Sequence, residues 1–261
     1  MKKTNNTIID LTTYKKMGLD IDIESVGDIT KKEKNYPYDI GVNIYDYETK
    51  KVVKAFSLII NEIFNDDIKM DSAFFKNKIP FYNNMLDIFN ENKESNYYKC
   101  VNINEALNII NVAISKFKIQ VVGAFNARFD YEGVNYLYDL RPSIKNKFSK
   151  LKPLDIRLMF LQYLKDQPRM LKKFKEFCKE TNRKTEKGFC STTAETAYCF
   201  LFSTDFQEKH TGLEDLKIET KIKSKLISLY KKNKKPFLYD LSGHKLGVSL
   251  YKGENALLRI D

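Results

Sequence analysis

The chain has 261 residues, of which 43% are hydrophobic and 30% are charged, so it can bury a sizeable core and is too apolar to be a disordered chain. Its apolar runs, such as residues 121–125, are far shorter than the ~20 residues that a membrane span needs, and residues 1–16 lack the apolar stretch of a secretory signal. The formal net charge is +11, with 18 basic and 20 acidic side chains in residues 1–140 and 27 and 14 in residues 141–261. This asymmetry indicates a polyanionic partner, although a lysine-rich composition also produces a solvated basic surface.

In chain order, the hydrophobic pattern predicts strands first and then helices that alternate with strands. Residues 18–24 and 38–46 alternate in polarity and residues 51–60 are rich in Val, Phe and Ile, so we expect an antiparallel three-strand meander. Residues 62–99 are expected to be irregular helix and loop. The remaining elements are predicted helices over 104–117, 126–138, 168–181, 193–202 and 211–232, a buried strand over 118–125, a strand or turn around 153–157 and a tail hairpin over 248–260. This order predicts an α/β fold with a mixed sheet flanked by helices.

The four cysteines show no C-x-x-C pair and the chain has only two histidines, which argues against a zinc ribbon or finger. Without a secretory signal, the cysteines are expected to be reduced thiols in the cytoplasm.

The first candidate segment for a functional site is Asp22-Ile-Glu24, in the first predicted strand. Residues two apart on a strand point to the same face, so the two carboxylates project together. Adjacent carboxylates repel each other unless a cation lies between them or one is protonated. By itself, the pair fits either a cation site or a solvated strand face.

The second candidate segment is Asn126-Ala-Arg-Phe-Asp130, directly after the predicted strand over 118–125. Asn126 is predicted to be the N-cap of a helix, which places Asp130 at the fourth helical position, near the positive end of the helix dipole. The same pattern also fits ordinary capping, with a surface carboxylate and a core Phe129.

The third candidate segment is His210-Thr-Gly-Leu-Glu-Asp215. Thr211 and Glu214 have the spacing of a capping box, which predicts that a helix begins just after Thr211. His210 then precedes the helix and Asp215 lies in its first turn, so both side chains can face one site. A capping or surface role for His210 is the alternative.

Together, the three segments supply four carboxylates and one imidazole. Carboxylate oxygens suit Mg²⁺ or Mn²⁺ rather than zinc. Two such ions about 3.5–4 Å apart stabilise the attacking and leaving oxygens of a phosphodiester displacement, and a histidine beside them can act as general base for water. The predicted chemistry is metal-assisted phosphodiester hydrolysis. A further acid, Asp155, fits better as a turn cap or a partner of Arg157.

The order D-x-E, then N-A-x-F-D, then H-x-x-x-x-D resembles the DEDDh branch of the DnaQ-like 3′→5′ exonucleases, which have a ribonuclease H-like fold. Residues 19–24 and 193–215 resemble the first and third motifs of that family. The resemblance covers residues 17–220 and is greatest to stand-alone phage and bacterial members, with 62–99 and 141–192 as divergent or inserted connections. It implies one exonuclease domain over 1–235, a tail over 236–261, and a location in the cytoplasm of a bacterial or phage-infected cell.

The resemblance also implies roles for individual residues. Asp22, Glu24, Asp130 and Asp215 would ligate two Mg²⁺ or Mn²⁺ ions, with Asp22 as the bridge, and His210 would be the general base. Ser25 and Val26 would lie against the terminal nucleotide, and Asn126 and Phe129 would shape the pocket. The chain differs from many family members at Ser25-Val-Gly27 and at Phe125-Asn126. These positions border the expected pocket and are not metal ligands, so the differences affect the expected substrate preference and not the expected metal binding.

The function implied by the resemblance is a 3′→5′ exonuclease that releases 5′-mononucleotides from single-stranded 3′ ends of DNA or RNA. A polymerase or another replication protein is a candidate partner, no membrane is involved, and the sugar and the oligomeric state stay open. Two alternatives are a nucleic-acid-binding subunit with little catalysis and an endonuclease on the same fold.

Lysines of residues 172–187 and 231–235 form either a rim that contacts phosphates or a solvated face, and aromatic residues among them suit stacking on single strands.

Overall fold

A six-stranded mixed sheet with the order β4-β3-β2-β1-β5-β6 is the centre of the fold. The structure, a computed structural model, describes residues 16–27, 35–73, 80–92, 97–233 and 258–260. The strands are β1 (Met17–Val26), β2 (Tyr36–Asp46), β3 (Lys51–Ile60), β4 (Tyr98–Val101), β5 (Val121–Ala124) and β6 (Lys152–Asp155). The helices are α1 (Asn61–Phe64), α2 (Asp67–Met70), α3 (Phe81–Asn92), α4 (Ile103–Lys116), α5 (Ala127–Asp139), α6 (Ile156–Asp166), α7 (Pro168–Glu180), α8 (Ala194–Phe202) and α9 (Gly212–Asn233).

The sheet combines an antiparallel meander with parallel strands. β1 pairs antiparallel with β2 and β2 pairs antiparallel with β3, whereas β5 runs parallel to β1 and β4 runs parallel to β3. The predicted α/β architecture, a mixed sheet of an antiparallel three-strand meander plus parallel strands flanked by helices, is therefore confirmed.

The core lies on both faces of the central strands. Most residues of β1 and β2 are buried and none is fully exposed, so these strands lack the solvated face that produces strict alternation. The apolar faces of α4 and α5 supply much of the helical side of this core. β3 changes character along its length: Lys51–Lys54 are exposed and its last five residues are buried.

Some elements differ from the sequence-based prediction. β4 begins at the end of the segment 62–99 that was expected to be irregular, and β6 forms where a strand or turn was expected, but the helix α6 that follows it was not predicted. β4 has only four residues and two of them are exposed, so it lacks the periodicity that would predict a strand. α6 begins at Asp155, whose carboxylate accepts a hydrogen bond from the amide of Leu158 at 2.9 Å. Asp155 is thus an N-cap, one of the two structural roles expected for it.

The chain divides into two units. The first, called the sheet unit, comprises the described residues of 16–154 and residues 208–217. The second, called the helical unit, comprises the described residues 155–207, 218–233 and 258–260. The prediction of a single domain over 1–235 stays a prediction. Within the part of the chain that the structure describes, no helix has both the length and the apolar character to cross a membrane.

The helical unit has an aromatic core of its own. Phe160, Phe174 and Phe200 pack with ring centroids 5.0 to 6.3 Å apart.

Most of the predicted tail hairpin lies outside the described residues. The described part, 258–260, hydrogen-bonds through its backbone to residues 188–190.

Candidate active site

The first part of the candidate site is the end of β1. Glu24 is 8% exposed and Asp22 is half-buried, and both lie on the central strand that pairs with β2 on one side and β5 on the other. The pairing of β1 with β2 shifts register between Glu24 and Ser25, so a bulge follows the second carboxylate. Ser25 is half-buried, whereas Val26 belongs to the hydrophobic core.

The second part is the first turn of α5. Asn126 precedes the helix as predicted, but it adopts a left-handed conformation with φ 70° and its side chain makes no capping hydrogen bond. The predicted side-chain cap is therefore wrong, because a left-handed Asn126 does not have the extended backbone of a capping residue. Asp130 is buried, and its Oδ1 accepts a hydrogen bond from the amide of Ile23 at 3.0 Å.

That hydrogen bond places Asp130 beside the acidic strand, because Ile23 lies between Asp22 and Glu24 in β1. Phe129 is half-buried and packs against the core, while Asn126 is exposed. The second candidate segment is therefore joined to the first by a direct contact.

The third part is the start of α9. Thr211 caps this helix, because its hydroxyl accepts a hydrogen bond from the amide of Glu214 at 3.3 Å, and the helix begins at Gly212 as the capping-box spacing predicts. His210 has a left-handed backbone with φ 59°, which turns the chain just before the helix. Asp215, in the first turn, accepts a hydrogen bond from the amide of Lys209 at 3.1 Å. Its carboxylate therefore faces back toward the loop that carries His210.

Glu24, His210 and Asp215 form one cluster. Each offers a ligand atom, and these atoms lie within 4.8 Å of one another. His210 Nδ1 is 3.9 Å from Asp215 Oδ2. Asp22 and Asp130 are not in this group of three. Three of the five predicted catalytic residues thus share one small volume, with Asp130 bound to the strand that supplies Glu24.

The carboxylates of the cluster are held in an environment that opposes their ionisation. Burial, followed by the charge of Asp215, raises the pKa of Glu24 well above its usual value. Burial, followed by the charge of Glu208, raises the pKa of Asp215 well above its usual value, although amide hydrogen bonds partly oppose this. Clustered, buried acids of this kind are stabilised when a cation is bound among them.

The donor set fits a hard divalent cation. Glu24 and Asp215 offer carboxylate oxygens, as Mg²⁺ and Mn²⁺ prefer, and a thiolate is absent from the group. In a cation site, acids are buried close together, so their pKa values are raised as long as no cation is bound among them. These residues therefore fit the predicted metal, and the site's own electrostatics favour its binding.

Sequence reasoning missed Asp39, a buried acid on β2. It lies opposite Glu24 in the β1–β2 register and is 0% exposed. Its carboxylate accepts hydrogen bonds from the Ser57 hydroxyl and from the amide of Gly212, the latter at 3.0 Å. Burial raises the pKa of Asp39 to about 6, although both hydrogen bonds lower it.

Asp39 thereby ties the first residue of α9 to the sheet. The signal that identifies it is an acid within an otherwise apolar strand, Tyr38-Asp-Ile-Gly-Val. Glu208 was also missed: it is half-buried and its charge raises the pKa of both Glu24 and Asp215.

The cysteines play no part in this site. Cys100 is exposed and Cys178, Cys190 and Cys199 are buried, all as free thiols. The redox state of the cysteines in the cell stays a prediction.

Comparison with known proteins finds no matching family model and no matching curated protein. The chain is similar to a 3′-exonuclease in a structure of 3′-end specific recognition of a histone mRNA stem-loop, with 12% identity, a TM-score of 0.45, and coverage of 85% of this chain and 66% of that one. It is similar to the nuclease domain of 3′hExo, a DEDDh family member bound to rAMP, with 13% identity, a TM-score of 0.41, and coverage of 83% and 94%.

A full-length 3′-exonuclease gives 11% identity, a TM-score of 0.45, and coverage of 83% of each chain.

Proposed function

We propose that this chain is a metal-dependent 3′→5′ exonuclease that hydrolyses single-stranded DNA or RNA and releases 5′-mononucleotides. The observation that carries the proposal is the cluster of Glu24, His210 and Asp215, whose ligand atoms lie within 4.8 Å of one another. Asp130 supports it through its hydrogen bond to Ile23. Buried acids and one histidine, brought together from three separate segments, suit hydrolysis of a phosphodiester.

The metal-holding residues in this proposal are Glu24 and Asp215, together with Asp22 and Asp130. Two divalent ions held there supply electrostatic stabilisation to the attacking and leaving oxygens of the reaction. The hydrogen bonds that Asp130 and Asp215 accept from backbone amides fix the direction of both carboxylates. The chain thus orients its ligands before any ion arrives, which reduces the entropy lost on binding.

His210 is the proposed general base. Its side chain is 20% exposed, so one part of the ring is within reach of water while another faces the cluster. Asp215, 3.9 Å from Nδ1, stabilises the positive charge that the imidazole acquires when it takes a proton from the attacking water.

The remaining proposed residues are neighbours of the ligands in the sequence. Ser25 is half-buried and is proposed to lie against the terminal nucleotide, and Asn126 and Phe129 are proposed to shape the pocket. Val26 was expected to lie against the nucleotide as well, but it is buried in the hydrophobic core, so it is proposed to support the pocket wall instead. The 3′→5′ polarity and the 5′-mononucleotide product are proposed from the motif resemblance.

The test uses 5′-labelled single-stranded DNA and RNA oligomers of matched sequence. Each is incubated with Mg²⁺ or Mn²⁺, with EDTA, and with the Asp22→Ala protein. A metal-dependent ladder that shortens from the 3′ end and is absent with the variant supports the proposal and identifies the preferred sugar. Cleavage of circular single strands would instead indicate an endonuclease, and tight binding without cleavage would indicate a binding subunit.

A further inference from the structure

The C-terminal end of α8 carries aromatic rings that are partly open to solvent. Phe202 is 37% exposed, and its ring centroid is 4.7 Å from that of Tyr198, which is itself 5.3 Å from that of Phe206. Tyr198 and Phe206 are half-buried. These three residues, called the aromatic surface below, lie in the helical unit and take no part in the site described above.

Two lysines of α9 lie against this aromatic surface. Lys221 and Lys225 are one helical turn apart, so they share a face of the helix, and both are exposed. Lys221 Nζ is 5.8 Å from the ring centroid of Tyr198, and Lys225 Nζ is 5.9 Å from that of Phe202. The rings of Tyr198 and Phe202 therefore each have an ammonium group over one face, and both rings stay partly accessible to solvent.

Between Ala194 and Gln207 the acidic side chains are Glu195 and Asp205. Both form ion pairs with Arg183, and the carboxylate of Asp205 stays exposed to solvent. Among the described residues, neither Lys221 nor Lys225 forms an ion pair with an acid. The charge of the whole unit is also positive: its described residues include 16 basic and 8 acidic side chains, whereas those of the sheet unit include 16 and 19.

We propose that the aromatic surface, with Lys221 and Lys225, binds a segment of single-stranded nucleic acid. Exposed rings stack on bases of any sequence, and flanking lysines neutralise the phosphates between them. The proposal rests on the proposed function, because it assigns to that nuclease a second contact with its polymeric substrate. Phe202 is the ring of the three that is exposed, and the two lysines beside it favour a negatively charged partner over an apolar one.

The first test measures how binding depends on salt. The full chain is titrated with labelled single-stranded DNA and RNA 20-mers in EDTA, which prevents cleavage, over a range of KCl concentrations. For single strands, each phosphate contact contributes about 0.7 to the slope of log K against log salt. Replacing both lysines (Lys221→Ala with Lys225→Ala) should reduce the slope by about 1.4.

The matched control replaces two exposed basic residues of the same unit that lie outside the predicted lysine rim, Lys165→Ala with Arg169→Ala. The slope of this control should stay at the wild-type value. Equal loss in both double variants, or no loss in the first, would overturn the proposal.

The second test concerns the ring of Phe202. Phe202→Leu keeps an apolar side chain of similar size without a π face, so it should fold and bind about tenfold more weakly, in line with stacking worth ~1–3 kcal/mol per base. Phe202→Tyr keeps the ring and should bind like the wild type. Wild-type affinity in the folded Phe202→Leu protein would contradict the proposal.

The two proposals fail in different ways. Wild-type protein that binds with the expected slope but cleaves nothing in Mn²⁺ would overturn the nuclease and leave the aromatic surface standing. Wild-type protein that cleaves normally, with both sets of variants binding as tightly as it does, would overturn the aromatic surface and leave the nuclease standing.

Discussion

Gly41 of β2 and Gly212 of α9 are in direct backbone contact. A Cβ at Gly41 would lie 2.2 Å from the carbonyl carbon of Gly212, and a Cβ at Gly212 would lie 2.6 Å from the amide nitrogen of Gly41. Only two glycines allow the helix start to approach the strand this closely. The contact brings Asp215, in the first turn of α9, to the strands that carry Glu24 and Asp39.

Gly41→Ala should therefore damage both stability and catalysis. The new methyl group meets backbone rather than a movable side chain, so we expect a loss of about 1–3 kcal/mol in the free energy of unfolding. Displacement of α9 by about 1 Å should also lower kcat by about 100-fold. Urea unfolding and a single-turnover cleavage assay measure the two effects.

Gly18→Ala is the matched control, because its methyl group would meet the ring of Tyr47 on the same sheet. It should lower stability while kcat stays near the wild-type value. Equal loss of kcat in both variants would show that the Gly41–Gly212 contact has no special role in catalysis.

His210→Ala should lower kcat by about 10²–10⁴-fold, since the imidazole is proposed to take the proton from the attacking water. The dissociation constant for a single-stranded oligomer, measured in EDTA, should change little. His244→Ala, which removes the other histidine of the chain, is the control and should keep full activity. Full activity in the His210→Ala protein would remove this residue from the proposed mechanism.

Glu24→Gln should make the metal-free protein more stable at neutral pH. The folded-state pKa of Glu24 is raised by burial and by Asp215, so the ionised carboxylate lowers the stability of the folded wild type as pH rises through that pKa. Unfolding curves in EDTA at pH 5 and pH 8 should show a larger difference between variant and wild type at pH 8.

Manganese should reverse the order of stability. The wild type should gain about 2.7 kcal/mol when Mn²⁺ is present at 100 times its dissociation constant, and Glu24→Gln should gain less. Glu91→Gln, which changes an exposed acid on α3, should follow the wild type. A full Mn²⁺ gain in Glu24→Gln would contradict the assignment of this residue as a ligand.

Asp39 should make stability depend on pH in a defined window. Its pKa is about 6 in the folded protein against a usual value of 3.8. The folded state therefore holds the proton more tightly, and the resulting stabilisation is fully present below pH 3.8 and is lost as pH rises through about 6. A shift of this size corresponds to roughly 3 kcal/mol.

Asp39→Asn should remove that pH dependence. The difference in free energy of unfolding between wild type and variant, measured from pH 4 to pH 7, should change mainly between pH 4 and pH 6. The asparagine has one acceptor oxygen for two donors, Ser57 and Gly212, so it should also cost about 1–3 kcal/mol at every pH. Parallel curves across the window would show that Asp39 does not titrate as described.

The Asp155→Ala variant tests whether Asp155 acts as a helix cap or as a metal ligand. The residue caps α6 through the amide of Leu158, so its loss should lower the free energy of unfolding by about 1 kcal/mol and leave kcat unchanged. Asp155→Ser should recover most of the stability. A large fall in kcat with Asp155→Ser would instead give this acid a role in the reaction.

Local sequence determined the elements that carry the site. The D-x-E strand, the acid just inside α5 and the capped start of α9 all depend on periodicity and capping, which involve residues within a few positions of one another. The order of these segments was sufficient to predict the fold class, and the proposed chemistry rests on the same segments. Asn126 is the local exception, because its left-handed backbone is not dictated by neighbouring residue types.

Tertiary structure alone decided which groups meet. Asp39 binds the amide of Gly212 across 173 positions of the chain, and that pairing depends on the β1–β2 register and on the close approach of Gly41. No short-range pattern marks such a contact, because it exists only once packing has brought the helix start onto the strand. Glu24, His210 and Asp215 could be named as site residues from local patterns, but the short distances between them could not, because packing alone sets those distances.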